Sequence, residues 1–249
     1  MTSERRTVLI DAFPDSAFRH RDRAAIACID VLLATTTLVT AAHQGRAVAV
    51  AASASDLRAL AEELDHPVAA GSLPGLPAGA FEASDGPCAL LRHGGLRRPL
   101  VLASLPGTEL VANAAAAGPV LLACFRNLTA TAEALSRHRR AALLAAGWHE
   151  ELSCEDQMAA AWIAMRLLDA GFEAEDRYTA EIVRRWSGIA PELAGWGNSA
   201  AQLRREGRGD EVDFVIAHVD DLAWACWCEG NRVRPAVPDS SLAAGGAAR

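Results

Sequence analysis

The sequence predicts an α/β protein: three layers, α/β/α, around a mostly parallel or mixed central sheet, with a helical region and a β-hairpin toward the C-terminus. Three observations carry that expectation. Runs such as "AAIACIDVLL", "PVLLACF" and "AALLAAG" are continuously apolar rather than alternating, the mark of strands covered on both faces. Helical patterns follow these runs in turn, and strand–helix alternation builds parallel sheets flanked by helices. After Gly171 the alternation gives way to helices, and "LAWACWCEGNRVRPA" then reads as a hairpin turning at Glu229-Gly230-Asn231.

Element by element, "AAIACIDVLL" is a buried strand and "TTTLVTAAHQ" a helix closed by Gly45. "RAVAVAA" is a second strand, and "SDLRALAEEL" an amphipathic helix with Ser55 as its expected N-cap. "HPVAAG" is a short strand before the irregular "SLPGLPAGAFEASDGP". "PLVLAS" and "PVLLACF" are strands, with the helix of "PGTELVANAAAAG" between them. "NLTATAEALSRH" is a helix with Asn127 at its cap, "AALLAAG" a strand, and "SCEDQMAAAWIAMRLLDAG" the strongest helix of the chain. "EDRYTAEIVRRWSG" and "NSAAQLRREG" are helices of the C-terminal region. No internal repeat or linker divides the chain, so residues 1–235 read as a single domain and 236–249 as a disordered tail.

Composition narrows the function classes. Of the 249 residues 51% are apolar, ample for a sizeable core, and the formal charge of −7 offers no basic field for nucleic acid or an anionic membrane. No run of about 20 apolar residues and no signal-peptide pattern occurs, so a cytoplasmic location is expected. The six cysteines lack the spacing of a disulfide scaffold or zinc site, which fits reducing cytoplasm. Tryptophans near the C-terminus are expected either to line a homodimer contact or to cover the hairpin.

In parallel sheets, ligands bind outside the carboxyl ends of the strands. Asp30 stands at such an end, inside an apolar run. A buried carboxylate needs donors, a cation or a cavity, so Asp30 reads equally as a backbone-satisfied acid and as a metal ligand or general base. Thr36 and Thr37 open the next helix, where hydroxyls either cap the turn or, with the N–H groups, hold a phosphate. Gly107 and Thr108 open another helix with the same two readings. Ser153 and Asp156 have capping-box spacing, while Glu155 and Asp156 beside the crevice also suit magnesium. Arg126 and Asn127 follow a buried strand; an arginine there is either solvated or reaches a phosphate or carboxylate with two parallel bonds. No Walker loop and no nucleophile elbow occurs.

The order of these motifs resembles the 2-phosphosulfolactate phosphatase family from about Ala25 to Val219. "CIDVLLATTTLVTAAHQG" is similar to the family's V-I-D-V-L-R-A-T-T-T signature, and "ACFRNLTATAEAL" to G-S-F-x-N-A-S-A. "AAGWHEELSCEDQMAAA" resembles C-A-G-T-x-G-x-x-S-x-E-D, and Phe81 and Pro87 match the family's G-L-P, Phe and Pro framework. The departures fall on charge. Leu33 stands where the family has arginine, Ser72 and Leu73 where it has an acid and a base, and Leu105 opens an altered T-N-G-T loop. Each lost charge-assisted hydrogen bond removes about 1.5–3 kcal/mol of substrate binding.

The resemblance implies magnesium-dependent hydrolysis of a small organic phosphomonoester, such as 2-phosphosulfolactate to sulfolactate and phosphate. It implies Mg2+ on Asp30, Glu155 and Asp156, donors from Thr36, Thr37, Gly107 and Thr108, and a catalytic role for Asp30 and Asn127. Arg126 is our own addition, as replacement for the lost cations. The rival reading is a catalytically silent relative that binds a small anion or a protein partner. A third is a fold kept for assembly, with its acids merely capping helices.

Overall fold

The computed structural model describes residues 5–93, 98–147 and 151–235. The strands are β1 (Thr7–Ala12), β2 (Ala25–Ile29), β3 (Val48–Val50), β4 (Val68–Ser72), β5 (Leu100–Ser104), β6 (Val120–Ala123), β7 (Arg140–Ala145), β8 (Glu173–Ala174), β9 (Cys226–Glu229) and β10 (Arg232–Pro235). The helices are α1 (Ser16–His20), α2 (Ala34–His43), α3 (Ala54–Glu63), α4 (Pro87–Arg92), α5 (Gly107–Ala115), α6 (Leu128–Leu135), α7 (Cys154–Asp169), α8 (Arg177–Trp186), α9 (Asn198–Arg205) and α10 (Gly209–Ala217).

One mixed sheet runs through the molecule in the order β4-β5-β3-β10-β9-β6-β2-β7-β1-β8. It consists of two parallel blocks, β4-β5-β3 and β6-β2-β7-β1-β8, bridged by the antiparallel β9–β10 hairpin. The hairpin of the sequence reading is therefore not an appendage: β9 pairs with β6 and β10 with β3, and together they join the blocks. Its three antiparallel steps leave the blocks running in opposite senses. Neighbouring strands also rotate by roughly 20–25° each, so opposed blocks can still meet at one corner. The carboxyl ends of β2, β4, β5 and β7 do meet there, around one cavity.

The strands are apolar throughout because both faces are covered. On one face α6, α7 and α8 bury Leu128, Met158, Ile163 and Ile182 against Ile29, Leu121 and Leu143. On the other, α2 and α5 bury Leu38, Leu110 and Val111 against Cys28, Leu102 and Leu122. A third cluster packs Leu57 and Leu60 of α3 on Ala49 and Val101.

Two local expectations are corrected. The N-cap of α3 is Ser53, whose Oγ accepts the Asp56 N–H at 3.1 Å, rather than Ser55, which follows the first residue of the helix. The Ser153–Asp156 capping box does not form; Ser153 is the α7 N-cap but its side chain takes no cap bond, and Asp156 is drawn to another strand end. The tail expected over 236–249 lies outside the described residues. Among the described residues no helix is long and apolar enough to cross a membrane.

Candidate active site

Asp30 is the first residue beyond β2, where the chain leaves the sheet and turns into α2. Thr35 ties that turn together: its hydroxyl donates to the carbonyls of Asp30 and Ala123 at 2.7 and 2.8 Å and accepts the Asp30 N–H at 3.0 Å. The Asp30 carboxylate accepts the Ala34 N–H at 3.3 Å and also the Gly107 N–H. Position 107 has to be glycine, since a β-carbon there would press into the carboxylate. Asp30 is only 6% exposed, yet it forms part of the wall of a cavity of about 280 Å³. Burial raises its pKa to about 7; the charges of Asp85 and Glu155 add to the rise and the two N–H donors oppose it.

Asp156 lies beneath that wall. Its Oδ1 accepts the Val31 N–H at 2.7 Å and its Oδ2 the Gly147 N–H at 3.3 Å, so it clasps the loops after β2 and β7 together. Gly147 makes its turn at φ +71°, a conformation glycine adopts without strain. Burial holds the Asp156 pKa well above the carboxylate range, and repulsion from Asp30 and Glu155 raises it further. Glu155 is 1% exposed, next to Cys154 and Gly197. The three acids of the sequence reading are thus gathered in one electrostatic neighbourhood, but only Asp30 reaches the cavity.

Two residues absent from the sequence reading complete the cavity. Asp85, in the loop before α4, accepts the Ser104 hydroxyl at 2.6 Å and pairs with Arg208 at 2.5 Å. Arg208 lies in the turn from α9 to α10, and its Nε is buried without a hydrogen-bond partner. Glu211 of α10 fixes these pieces to one another, since its carboxylate accepts the N–H groups of Cys88 and Ala89 at the start of α4. No local pattern marks Asp85 or Arg208; each is a polar loop residue whose partner is 123 positions away.

The remaining expected site residues are placed elsewhere. Arg126 is buried, its Nε and Nη2 on Asp221 at 3.0 and 2.6 Å and its Nη1 on the Thr40 hydroxyl at 2.9 Å. It does not line the cavity, so the expectation that it replaces a lost substrate cation is corrected. Asn127 is spent on its own turn, accepting the Cys124 N–H and donating to the Leu122 carbonyl, both at 3.0 Å. The Thr36 hydroxyl donates to the Val31 carbonyl at 2.7 Å, and that of Thr37 to the Asp85 carbonyl at 2.6 Å. Thr108 accepts the Ser104 N–H at 3.2 Å. All three threonines and Asn127 are buried and shape the loops around the cavity rather than its wall.

The fit of a magnesium ion rests on donor chemistry. Among the described residues no three His, Cys, Asp or Glu side chains gather closely enough to cage an ion, and Asp156 is spent on backbone N–H groups. The three acids therefore do not form a shared cage. Magnesium commonly takes one or two carboxylates and completes its shell with water and substrate oxygens. Asp30, beside the Ser104 hydroxyl on a wall carrying Asp85 and Glu206, meets that requirement.

A sequence model of 2-phosphosulpholactate phosphatase matches residues 13–219. The chain belongs to that family. A probable 2-phosphosulfolactate phosphatase of Synechococcus sp. (strain CC9605) is 31% identical over 209 residues, covering 80% of this chain and 86% of its own. A protein of the same description from Synechococcus sp. (strain RCC307) is 33% identical over 214 residues, covering 80% and 86%. Another, from Deinococcus radiodurans, is 31% identical over 216 residues, covering 83% and 87%. The 2-phosphosulfolactate phosphatases are a family of hydrolases, and within this member three of the four named departures from its pattern line the cavity, while Leu73 is packed in the core. Leu33, Ser72 and Leu105 are all on the wall, and so is Arg208.

Proposed function

We propose that this chain is a magnesium-dependent phosphatase acting on a small organic phosphomonoester, in the manner of 2-phosphosulfolactate hydrolysis to sulfolactate and phosphate. The observation that carries the reading is a carboxylate and a guanidinium, Asp30 and Arg208, on the wall of one cavity at the carboxyl ends of four strands. The Arg208 guanidinium donates to a phosphoryl oxygen, and Asp85, steadied by Ser104, keeps it in place. Asp30, held by the N–H groups of Ala34 and Gly107, is the protein ligand for magnesium. Magnesium, when bound, polarises the phosphoryl group and neutralises charge that Arg208 alone does not balance against Asp30, Asp85 and Glu206. Leu32, Leu33, Leu105 and Pro106 narrow the cavity and limit stray water. Six free cysteines agree with the cytoplasm as the working compartment.

The test is phosphate release from a panel of phosphomonoesters, with magnesium and with a chelator. Magnesium-dependent release is expected. No release from a demonstrably folded sample favours the silent relative, the reading suggested by Leu33 at the position of a family arginine.

A further inference from the structure

A second cavity, of about 310 Å³, adjoins the first. The two share Ser153, the N-cap of α7, and Ser199, in the first turn of α9, so they are neighbours across those residues. Its character is different. Leu152, Trp186, Leu193 and Trp196 supply its walls, with Asn198 and Glu151 bonded to each other at the rim at 3.2 Å. Trp196 is 84% exposed. Seven large hydrophobic side chains are exposed among the described residues, and four of them, Leu105, Leu152, Leu193 and Trp196, line one or other of these two cavities. Scattered exposed apolar residues need no explanation, but a concentration beside a polar site marks a binding surface.

Charge says what occupies it. Among the described residues the first cavity carries Asp30, Asp85 and Glu206 against Arg208. One phosphoryl group with its magnesium uses that guanidinium, and a second anionic group on the same substrate would face carboxylates. Among the described residues the second cavity carries one carboxylate, Glu151, and no cation, so the alcohol half that lies there is uncharged, against apolar side chains and an exposed indole.

We infer that the Trp196 cavity is the subsite for the organic half of the ester, and that this half is an aromatic, uncharged alcohol rather than a sulfonated acid. The inference rests on the phosphatase reading for the first cavity and deepens it. The ring lies against Trp196 and Leu193 while the phosphoryl group reaches Arg208 past Ser153 and Ser199. An oxygen of water forms the new bond to phosphorus, the bond to the aryl oxygen breaks, and the departing aryloxide takes up a proton. Offset stacking on an exposed indole and burial of the ring in a preformed apolar cleft supply the preference.

The experiment compares 1-naphthyl phosphate with 2-phosphosulfolactate on the full chain with magnesium. The naphthyl ester is expected to have the higher kcat/KM, by at least tenfold. Trp196→Ala is expected to lower the ratio of the two kcat/KM values at least tenfold through KM, with Trp196→Phe restoring most of it. A preference for 2-phosphosulfolactate, or a ratio unmoved by Trp196→Ala, overturns the inference; so does a dimer that Trp196→Ala dissociates while the ratio stays fixed. Binding is followed separately by tryptophan fluorescence with 1-naphthylphosphonate, which cannot be hydrolysed, against methylphosphonate. Saturable binding of the aryl compound alone, lost in Trp196→Ala, upholds the subsite even where no ester is cleaved, and then only the phosphatase reading falls. No binding of either compound overturns the subsite.

Discussion

The turn after β6 and the turn between α9 and α10 each hold an arginine against an aspartate. In the first, all three nitrogens of Arg126 donate, to Asp221 and to Thr40, and the guanidinium is buried with Phe214 5.5 Å from its centre. In the second, Arg208, a residue of the cavity wall, gives Nη2 to Asp85, has Nη1 3.9 Å from Glu206 and leaves its enclosed Nε without a partner. Both are salt bridges, with opposite consequences. A guanidinium has five N–H donors, and whether any is left over decides whether it staples the fold or waits for an anion. Arg126 ties the segment before β9 to α2; Arg208 lines the cavity with one donor left over.

The sharpest way to break this comparison is to remove each arginine. Arg208→Ala is expected to lower kcat/KM for any cleaved phosphoester by roughly 100–1000-fold, with little change in urea midpoint. Equal loss of folding stability would make Arg208 another staple. Arg126→Ala should do the reverse, because it strands the Asp221 carboxylate and the Thr40 hydroxyl. About 3 kcal/mol of stability is expected to go, measured by urea unfolding, while kcat/KM per folded molecule stays within about twofold. A large loss of turnover in fully folded Arg126→Ala would return that residue to the active site.

Asp30 sharpens the contrast, because neither arginine neutralises it. Its folded pKa of about 7 lies above the unfolded value of 3.8, so the folded state keeps a proton that the unfolded chain releases between those values. Stability is therefore lost as pH rises through that window and levels off above about 7. In chelator, Asp30→Asn should gain on the parent protein across the same window, reaching roughly 2–4 kcal/mol in urea titrations at stepped pH. A flat difference would mean that a cation already sits on Asp30. The smallest effect belongs to Asp85→Asn, which weakens the hold on Arg208 without removing it. KM should rise by about tenfold with kcat little changed, and an unaltered KM would detach Asp85 from the binding of the ester.

Part of the site was legible along the chain for a physical reason. An acid inside "CIDVLL" conflicts with its surroundings, and such a conflict points to a pocket. That signal found Asp30, and the acids opening α7 were found by their place at a strand end. The same signal misjudged the hydroxyls. Thr36, Thr37 and Thr108 stand where a phosphate site would put them, yet their oxygens bond backbone groups, of their own turns for Thr36 and Thr108 and of the distant Asp85 for Thr37. Asp85 and Arg208 gave no signal at all, because charged residues beside glycines, as in "SDGP" and "GRGD", are what any solvated turn contains.

The chain by itself determined which segments are strands covered on both faces, the helices between them, the family, and the carboxylate that must be buried at the end of β2. These follow from periodicity and from the cost of desolvating charge, which are local properties. Only the tertiary structure decided that the terminal hairpin joins two opposed parallel blocks, that Arg126 is spent while Arg208 is not, and that an indole stands open on the neighbouring cavity. Those outcomes depend on which hydrogen-bond donors find partners far along the chain, 86 and 95 residues away for Arg126 and 123 for Arg208, and pairing at that distance leaves no trace in neighbouring letters.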